Sequence, residues 1–454
     1  MLLPELEILS SGVTKANMKR LWIVSELYYP EESATGYYVT HIAEGLATSF
    51  PVSVLCSQPT YSSRGVKAPW REDRNGVDVR RCWSTTFAKD KLLLRLANVV
   101  TICVSLFMAA LRRSRAGDVF LVTTNPPLLP VFILFAAKLR RARCIMLTHD
   151  VYPDVLASIG VLSKESFAYR ALNSVGSRTY RSMDMIFVLG RDMKDLVMGH
   201  LGGSNVPVQI ITNWADTESI VPLPRMTNPL LRDLGLTDNF VIQYSGNMGR
   251  THSIETIVEV ARRLRRYSDI FFLFIGWGAK EEWLKNTLVR EQLDNVLVIP
   301  PRPRDEIPIS LNACDAAIIS FVSSMAGISV PSRMYNIMSA GKPLLGATDE
   351  SSELAMLIKE ESAGTTVRPE DPQGLADAIL ALRADRKLLN EMGRLARRAA
   401  EYKYAEPLIL AKYSAALASY LDPDRLVVDE KASPEIRHRR LSSRAGETYD
   451  VEPF

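Results

Sequence analysis

Ten residues in the C-terminal half combine a loop with polar side chains at helical spacing: Gly327-Ile328-Ser329-Val330-Pro331-Ser332-Arg333-Met334-Tyr335-Asn336. Pro331 suits the start of a helix, where its fixed φ fits and its missing N–H is not needed. The run Met338-Ser339-Ala340-Gly341-Lys342-Pro343 then ends that helix with a glycine before a buried strand. Ser332 and Arg333 fall in the first turn, where the helix dipole favours anions. Asn336 lies one turn further along the same face. A loop–helix unit presenting Ser329, Ser332, Arg333 and Asn336 suits a diphosphate and a ribose.

Other turns read as ligand loops. Ser245-Gly246-Asn247-Met248-Gly249-Arg250 follows directly on a short apolar run. Its glycines let a ligand approach the backbone, and Arg250 adds a charge for a diphosphate. The spacing is not G-x-G-x-x-G, which argues against a nicotinamide enzyme. Near the N-terminus, Tyr28-Tyr29-Pro30-Glu31-Glu32-Ser33-Ala34-Thr35-Gly36 leads into a helical pattern through Ile42 and Leu46. Gly36 thus opens a helix whose N–H groups can face a phosphate. His149-Asp150 closes another apolar run, ahead of Tyr152-Pro153-Asp154. At a strand end such a pair can orient and polarise a sugar hydroxyl; the plain alternative is a histidine satisfied in the core.

These loops need elements to hold them. Short β-branched runs at residues 21–25, 52–56, 119–123, 144–148, 185–189 and 208–211 alternate with longer helical patterns. After a break at 214–228, marked by Pro222, Pro224 and Asn228, alternation resumes at 240–244, 270–275, 296–299, 316–320 and 343–347. Strands alternating with helices predict parallel sheets, because parallel strands need a crossover. The chain reads as α/β with two doubly wound, Rossmann-like domains: an extension over 1–17, a first domain over 18–220 and a second over 221–400. A C-terminal helix over 401–421 is expected to pack back toward the first domain, and the polar residues 422–454 to remain disordered.

Composition narrows the class. With 454 residues, 47% hydrophobic and a net charge of only +4, the chain carries no global nucleic-acid footprint. Its five cysteines form no C-x-x-C pair, which fits buried thiols in a reducing compartment. Glu5 and Glu7 leave no room for the apolar core of a leader. Residues 92–111 are almost entirely apolar, with Arg95 the one charge, and Lys89, Lys91, Arg112, Arg113 and Arg115 bracket them. A second apolar stretch, 128–137, precedes Lys138, Arg140, Arg141 and Arg143. A core helix, an interfacial helix with its cations on anionic headgroups and a short span all fit this pattern. The interfacial reading assigns Leu106, Phe107, Arg112 and Arg113 to an anionic membrane surface.

At these residues the chain resembles the retaining glycosyltransferases of GT-B fold, the family-four-like group, and is similar to bacterial capsule, colanic-acid and O-antigen sugar transferases. The resemblance covers roughly residues 19–420. It rests on Tyr29-Pro30 with Gly36, Asn125-Pro126-Pro127, His149-Asp150 with Pro153-Asp154, Asn213-Trp214-Ala215-Asp216 and Gly246-Asn247-Met248-Gly249. It continues through Gly276-Trp277-Gly278, Cys314-Asp315, Pro331-Ser332-Arg333-Met334-Tyr335 and Ala340-Gly341-Lys342-Pro343.

The resemblance implies two domains facing a central cleft, with a nucleotide-sugar donor, expected to be a UDP-sugar, on the C-terminal one. A polyprenyl-linked or glycan acceptor is expected on the N-terminal one. It implies no metal and no cofactor, a role in cell-surface polysaccharide assembly, and a peripheral position on the inner face of the cell membrane. Arg333 and Arg250 would face the diphosphate, residues 327–329 and Gly276 the donor, and Asn336 the ribose. The family commonly carries two glutamates eight residues apart, where this chain has Ile328 and Asn336, and a lysine near Thr251 and His252. A non-hydrolysing UDP-sugar epimerase, and a catalytically silent sugar-nucleotide-binding scaffold, are the alternative readings.

Overall fold

The structure, a computed structural model, describes residues 18–60, 65–87 and 92–422. The extension over 1–17, the tail beyond residue 422, Lys89 and Lys91 lie outside the described residues.

Two sheets carry the chain. The first holds β1 (Leu21–Val24), β2 (Val52–Ser57), β3 (Arg71–Arg74), β4 (Val77–Cys82), β5 (Val119–Thr123), β6 (Arg143–Thr148), β7 (Met185–Val188) and β8 (Val208–Ile210). Their spatial order is β3-β4-β2-β1-β5-β6-β7-β8, parallel throughout except for the β3–β4 hairpin. The second holds β9 (Phe240–Ser245), β10 (Ile270–Ile275), β11 (Val296–Ile299), β12 (Ala316–Ser320), β13 (Leu344–Ala347) and β14 (Gly364–Val367). It is parallel in the order β11-β10-β9-β12-β13-β14. Every residue of β1, β2, β5, β12 and β13 is buried, as strands covered by helices on both faces must be.

Right-handed crossovers decide which face each helix covers. Helices Leu92–Arg113, Leu129–Arg140, Phe167–Tyr180 and Arg191–Leu201 pack side by side on one face of the first sheet. Helix Ala34–Ala47 packs against Glu406–Leu421, the last helix, which crosses back from the second domain. There Tyr413 meets Phe187 edge-on, and Leu421 O accepts from Lys19 N. The two crossings between domains touch, Ala215 N donating to Tyr404 O at 2.7 Å. Arg397 fastens the first of them, donating to the carbonyls of Thr217, Ile220 and Ser339.

Helix Leu92–Arg113 corrects one expectation. Ile102, Cys103, Leu106 and Ala110 are fully buried against the sheet, so Leu106 belongs to the core and meets no membrane. The outward stripe is Leu93, Leu96, Val100, Val104 and Met108, at 37–79% exposure. Phe107 is half-buried and stacks on Phe135 of the next helix at 5.8 Å. By length and composition Leu93–Arg113 could cross a membrane, but its inner face is committed to the domain.

Candidate active site

In doubly wound sheets, ligands bind beyond the carboxyl ends of strands where the strand order reverses. The second sheet reverses between β9 and β12, and the first between β1 and β5. Both reversals are built from the loops singled out in the sequence.

At the β9–β12 reversal, Arg333 opens helix Arg333–Ser339. Its Nη1 donates to Ser245 O at 3.2 Å, and its guanidinium lies 4.6 Å from the centre of the Tyr244 ring. Its Nη2 is 3.1 Å from His252 Nδ1, which is also 3.1 Å from Ser320 O. A neutral imidazole satisfies only one of these contacts at a time. Burial and then the Arg333 charge push His252 down from 6.5 to about 3, so the ring is neutral at physiological pH. Lys280 donates to His252 O at 2.8 Å and pairs with the Glu255 carboxylate at 2.7 Å, so its charge is already compensated.

The two glycine loops of this domain lie on each other. Gly246 N donates to Ile275 O, and Met248 N to Trp277 O. A Cβ at Gly276, whose φ is +148°, would stand 2.0 Å from Gly246 O, so only glycine fits there.

The first domain meets this corner through one short stretch. Val151 N donates to Ile328 O at 3.0 Å, and Asp150 forms an antiparallel bridge with Ser329. His149 stands beside that bridge, its backbone N–H held by Thr124 Oγ1 at 3.1 Å. Its ring is buried, and Nε2 has no hydrogen-bond partner among the described residues. Burial pushes its pKa down to about 4. Burial also raises the Asp150 carboxyl, and a hydrogen bond from Ser329 partly offsets this. At the other end of the stretch, Ser332 lies by the Tyr38 hydroxyl, which donates to Trp214 O at 3.1 Å.

A latch holds this arrangement. Asp192 Oδ2 accepts from Gly327 N at 2.9 Å and Glu353 N at 3.0 Å, while Arg191 makes two 3.0 Å bonds to the Glu353 carboxylate. Gly327 has φ +77°, and a Cβ there would meet Asp192 O at 2.7 Å.

Comparison with known proteins decides what this cleft belongs to. The family model "Glycosyl transferases group 1" matches residues 230–399, and "Glycosyl transferase 4-like domain" matches residues 33–214. "Probable glycosyltransferase WbjE" of Pseudomonas aeruginosa is 31% identical over 421 residues, covering 90% of this chain and 100% of that one. The chain is a group 1 glycosyltransferase. "Putative colanic acid biosynthesis glycosyl transferase WcaI" of Escherichia coli (strain K12) is 25% identical, covering 78% of this chain and 89% of its own length. Among solved structures, Anabaena Alr3699/HepE in complex with UDP and glucose superposes with a TM-score of 0.68 at 15% identity, over 88% of this chain and all of that one. The two sheets and their cleft are therefore the GT-B fold.

Within this glycosyltransferase, the residues expected to act together are only partly gathered. Arg333, Gly246 and Gly276 converge at the β9–β12 reversal, while Ser329 bridges to Asp150, beside His149, and Gly327 is held by Asp192. Asn247 is exposed on the first glycine loop, its carbonyl accepting from Tyr244 Oη at 2.7 Å. Arg250 is exposed and makes no ion pair among the described residues. Gly36 differs from expectation: its N–H is taken by the Ser33 cap, so it is not presented to a phosphate. Asn336 Oδ1 accepts from Asp216 N at 3.0 Å, so its carbonyl end ties down the interdomain crossing. Tyr244, Asp192 and Lys280 escape a reading of the sequence, and His252 stands out there only as a departure from the family lysine, because its partner Arg333 lies far along the chain.

The two depressed histidines set a pH response. Each is neutral in the fold but takes up a proton near 6.5 once unfolded, so the stability it contributes is complete above pH 6.5 and is lost as pH falls toward 4. The expected slope is about 1.4 kcal/mol per pH unit for each fully shifted group. Asp150 has the opposite sign, its raised carboxyl favouring the fold in acid. Urea midpoints between neutral pH and the mid-fours are therefore expected to fall less steeply for His149→Asn than for the parent chain. Parallel curves for the two proteins would contradict the burial of an unprotonated His149.

Proposed function

We propose that this enzyme moves a sugar from a UDP-sugar to a polyprenyl-linked or glycan acceptor in cell-surface polysaccharide synthesis, with retention at the anomeric carbon. One observation carries the proposal. The stretch from residue 327 to 333 touches Asp150 and Val151, next to His149 in the chain, at one end and forms the Arg333–Ser245 corner at the other. A nucleotide diphosphate at Arg333 thereby places its sugar against residues 327–329 and His149. WcaI is named for colanic acid biosynthesis and HepE was solved with UDP and glucose, which supports this choice of pathway and donor.

In this reading the bond from the anomeric carbon to the diphosphate oxygen breaks, and a bond to the acceptor oxygen forms on the same face of the sugar. The acceptor proton passes to the departing phosphate. Arg333, joined by Arg250 as the resemblance implies, steadies the negative charge that grows on the diphosphate, which is the electrostatic help such a transition state needs. Neutral His149 hydrogen-bonds a sugar hydroxyl. Asn336 offers its amide toward the ribose while its carbonyl holds Asp216.

A lipid-linked acceptor requires the enzyme to sit on the inner face of the cell membrane. From residue 92 to 149 the chain has eight cations and one acid, Asp118. Asp118 is itself buried, bonded to Trp22 Nε1 and Arg115 N. Arg112, Arg113 and Arg141 have no carboxylate partner among the described residues and stand at one end of the exposed apolar stripe. Fully burying a valine stabilises by roughly 1.5–3 kcal/mol. Val100→Ser with Val104→Ser should therefore weaken binding to anionic vesicles by about tenfold or more, while UDP binding in solution is unchanged. Unaltered co-sedimentation of that double variant would overturn the membrane placement.

A further inference from the structure

Helix Phe167–Tyr180 holds a second feature that the transfer reaction does not use. Arg170, Asn173, Ser174, Ser177, Arg178 and Arg181 recur at helical spacing and line one groove of about 330 Å³. None of the three arginines pairs with a carboxylate among the described residues. Arg181 is fixed by Nε, which donates to Leu201 O at 3.0 Å. The floor is Ser177, 9% exposed, with Oγ 3.2 Å from His200 Nδ1. His200 Nε2 lies 2.9 Å from Asp154 Oδ2, and Tyr169 Oη donates to Asp154 Oδ1 at 3.0 Å. Both oxygens of the nearby carboxylate are thus turned inward and occupied, so the groove presents cations and hydroxyls.

The position of the groove narrows its ligand. The contact of Ser177 with His200 turns the arginine flank toward helix Arg191–Leu201. The other flank, with Leu172 at 39% and Val175 at 42% exposure, turns toward helix Leu129–Arg140, whose Phe135 and Leu139 are exposed at 56% and 55%. Beyond that lies the Leu92–Arg113 stripe. An apolar band three helices wide therefore ends at a row of unpaired guanidiniums. The guanidinium fork matches two oxygens of a phosphate, and like charges one turn apart on a helix repel unless an anion is present.

We propose that this groove binds the phosphate of a membrane-lipid headgroup, whose acyl chains lie over the apolar band. The proposal rests on the membrane placement above and adds a specific headgroup site to it. The test uses the full-length protein and Arg170→Gln/Arg178→Gln, which removes two charges at little cost in helix propensity and leaves Arg181 in place. Vesicles of phosphatidylcholine doped with phosphatidate are compared with vesicles doped with oleate to the same surface charge.

The parent protein is expected to prefer phosphatidate by about tenfold, and the double variant to lose that preference. The control Arg112→Gln/Arg113→Gln should weaken both vesicle types alike. If Arg170→Gln/Arg178→Gln also weakens both alike, the groove contributes only surface charge and the proposal falls, while the membrane placement stands. If the parent protein binds neither vesicle, the placement itself fails, and the headgroup proposal with it. Calorimetry with glycerol phosphate separates the two phosphate sources. Tight binding that the double variant loses, without any vesicle preference, would assign the groove to a soluble phosphate and overturn the lipid assignment.

Discussion

His149→Ala is expected to lower turnover by about 10²–10³-fold while UDP-sugar affinity changes by no more than about threefold, the loss expected when a positioned polar group leaves the reacting centre. The imidazole is pushed down to about 4 by burial, so it acts as a neutral hydrogen-bonding group and not as a charge on the diphosphate. Its Nε2 meets no protein partner among the described residues, and its backbone is pinned by Thr124 beside the Asp150–Ser329 bridge. On the proposed role, truncation removes the contact to the sugar and leaves the diphosphate corner intact. Single-turnover rates with calorimetric donor affinities separate the two effects. A fall in affinity as large as the fall in rate would move His149 out of the reacting region and into general support of the cleft.

Arg333→Ala is expected to weaken UDP binding by roughly 10- to 150-fold, since a hydrogen bond to a charged group is worth about 1.5–3 kcal/mol. Arg333→Lys should recover part of this, because lysine keeps the charge but loses the planar fork. A second readout follows from His252, which the Arg333 charge helps hold down. In Arg333→Ala the His252 pKa should rise toward its ordinary value, observable by NMR titration. Unchanged UDP affinity together with a shifted His252 would make Arg333 a structural neighbour of the histidine and not a diphosphate ligand.

The parallel strands are legible in the sequence because burial on both faces leaves short, continuous apolar runs such as Val119–Thr123 and Ala316–Ser320. The hairpin β3–β4 is harder to read. Arg71-Glu72-Asp73-Arg74 has no apolar residue, and only the turn Asn75-Gly76, with φ of 48° and 79°, signals two paired strands. Strand β14, Gly364-Thr365-Thr366-Val367, is short and lies at a sheet edge, so it offers little periodicity.

Helix Leu92–Arg113 shows a different limit. It is apolar on nearly every side, so spacing alone does not say which face is outward, and an interfacial reading takes Leu106 for the wrong one. The sheet decides, because β2 and β4 cover the side that carries Leu106.

At the site, local spacing brings out Arg333 and His149 but not what holds them. Tyr244 and His252 lie more than 80 residues before Arg333, and Asp192 lies 135 residues before Gly327. Only the strand order of the two sheets brings those residues together. The place of Asn336 one turn beyond Ser332 points to a ribose ligand; its bond to Asp216 N exists only once the interdomain crossing is folded against it.

Sugar transfer at the membrane is tested most directly by following UDP release from a panel of UDP-sugars, with and without a lipid extract carrying polyprenyl-diphosphate-linked saccharide. The expected result is release that depends on the extract, appears with one sugar of the panel, and is accompanied by a glycosylated lipid of matching mass. Conversion of the UDP-sugar to an isomer without any acceptor, or no release under either condition while UDP still binds, would contradict it.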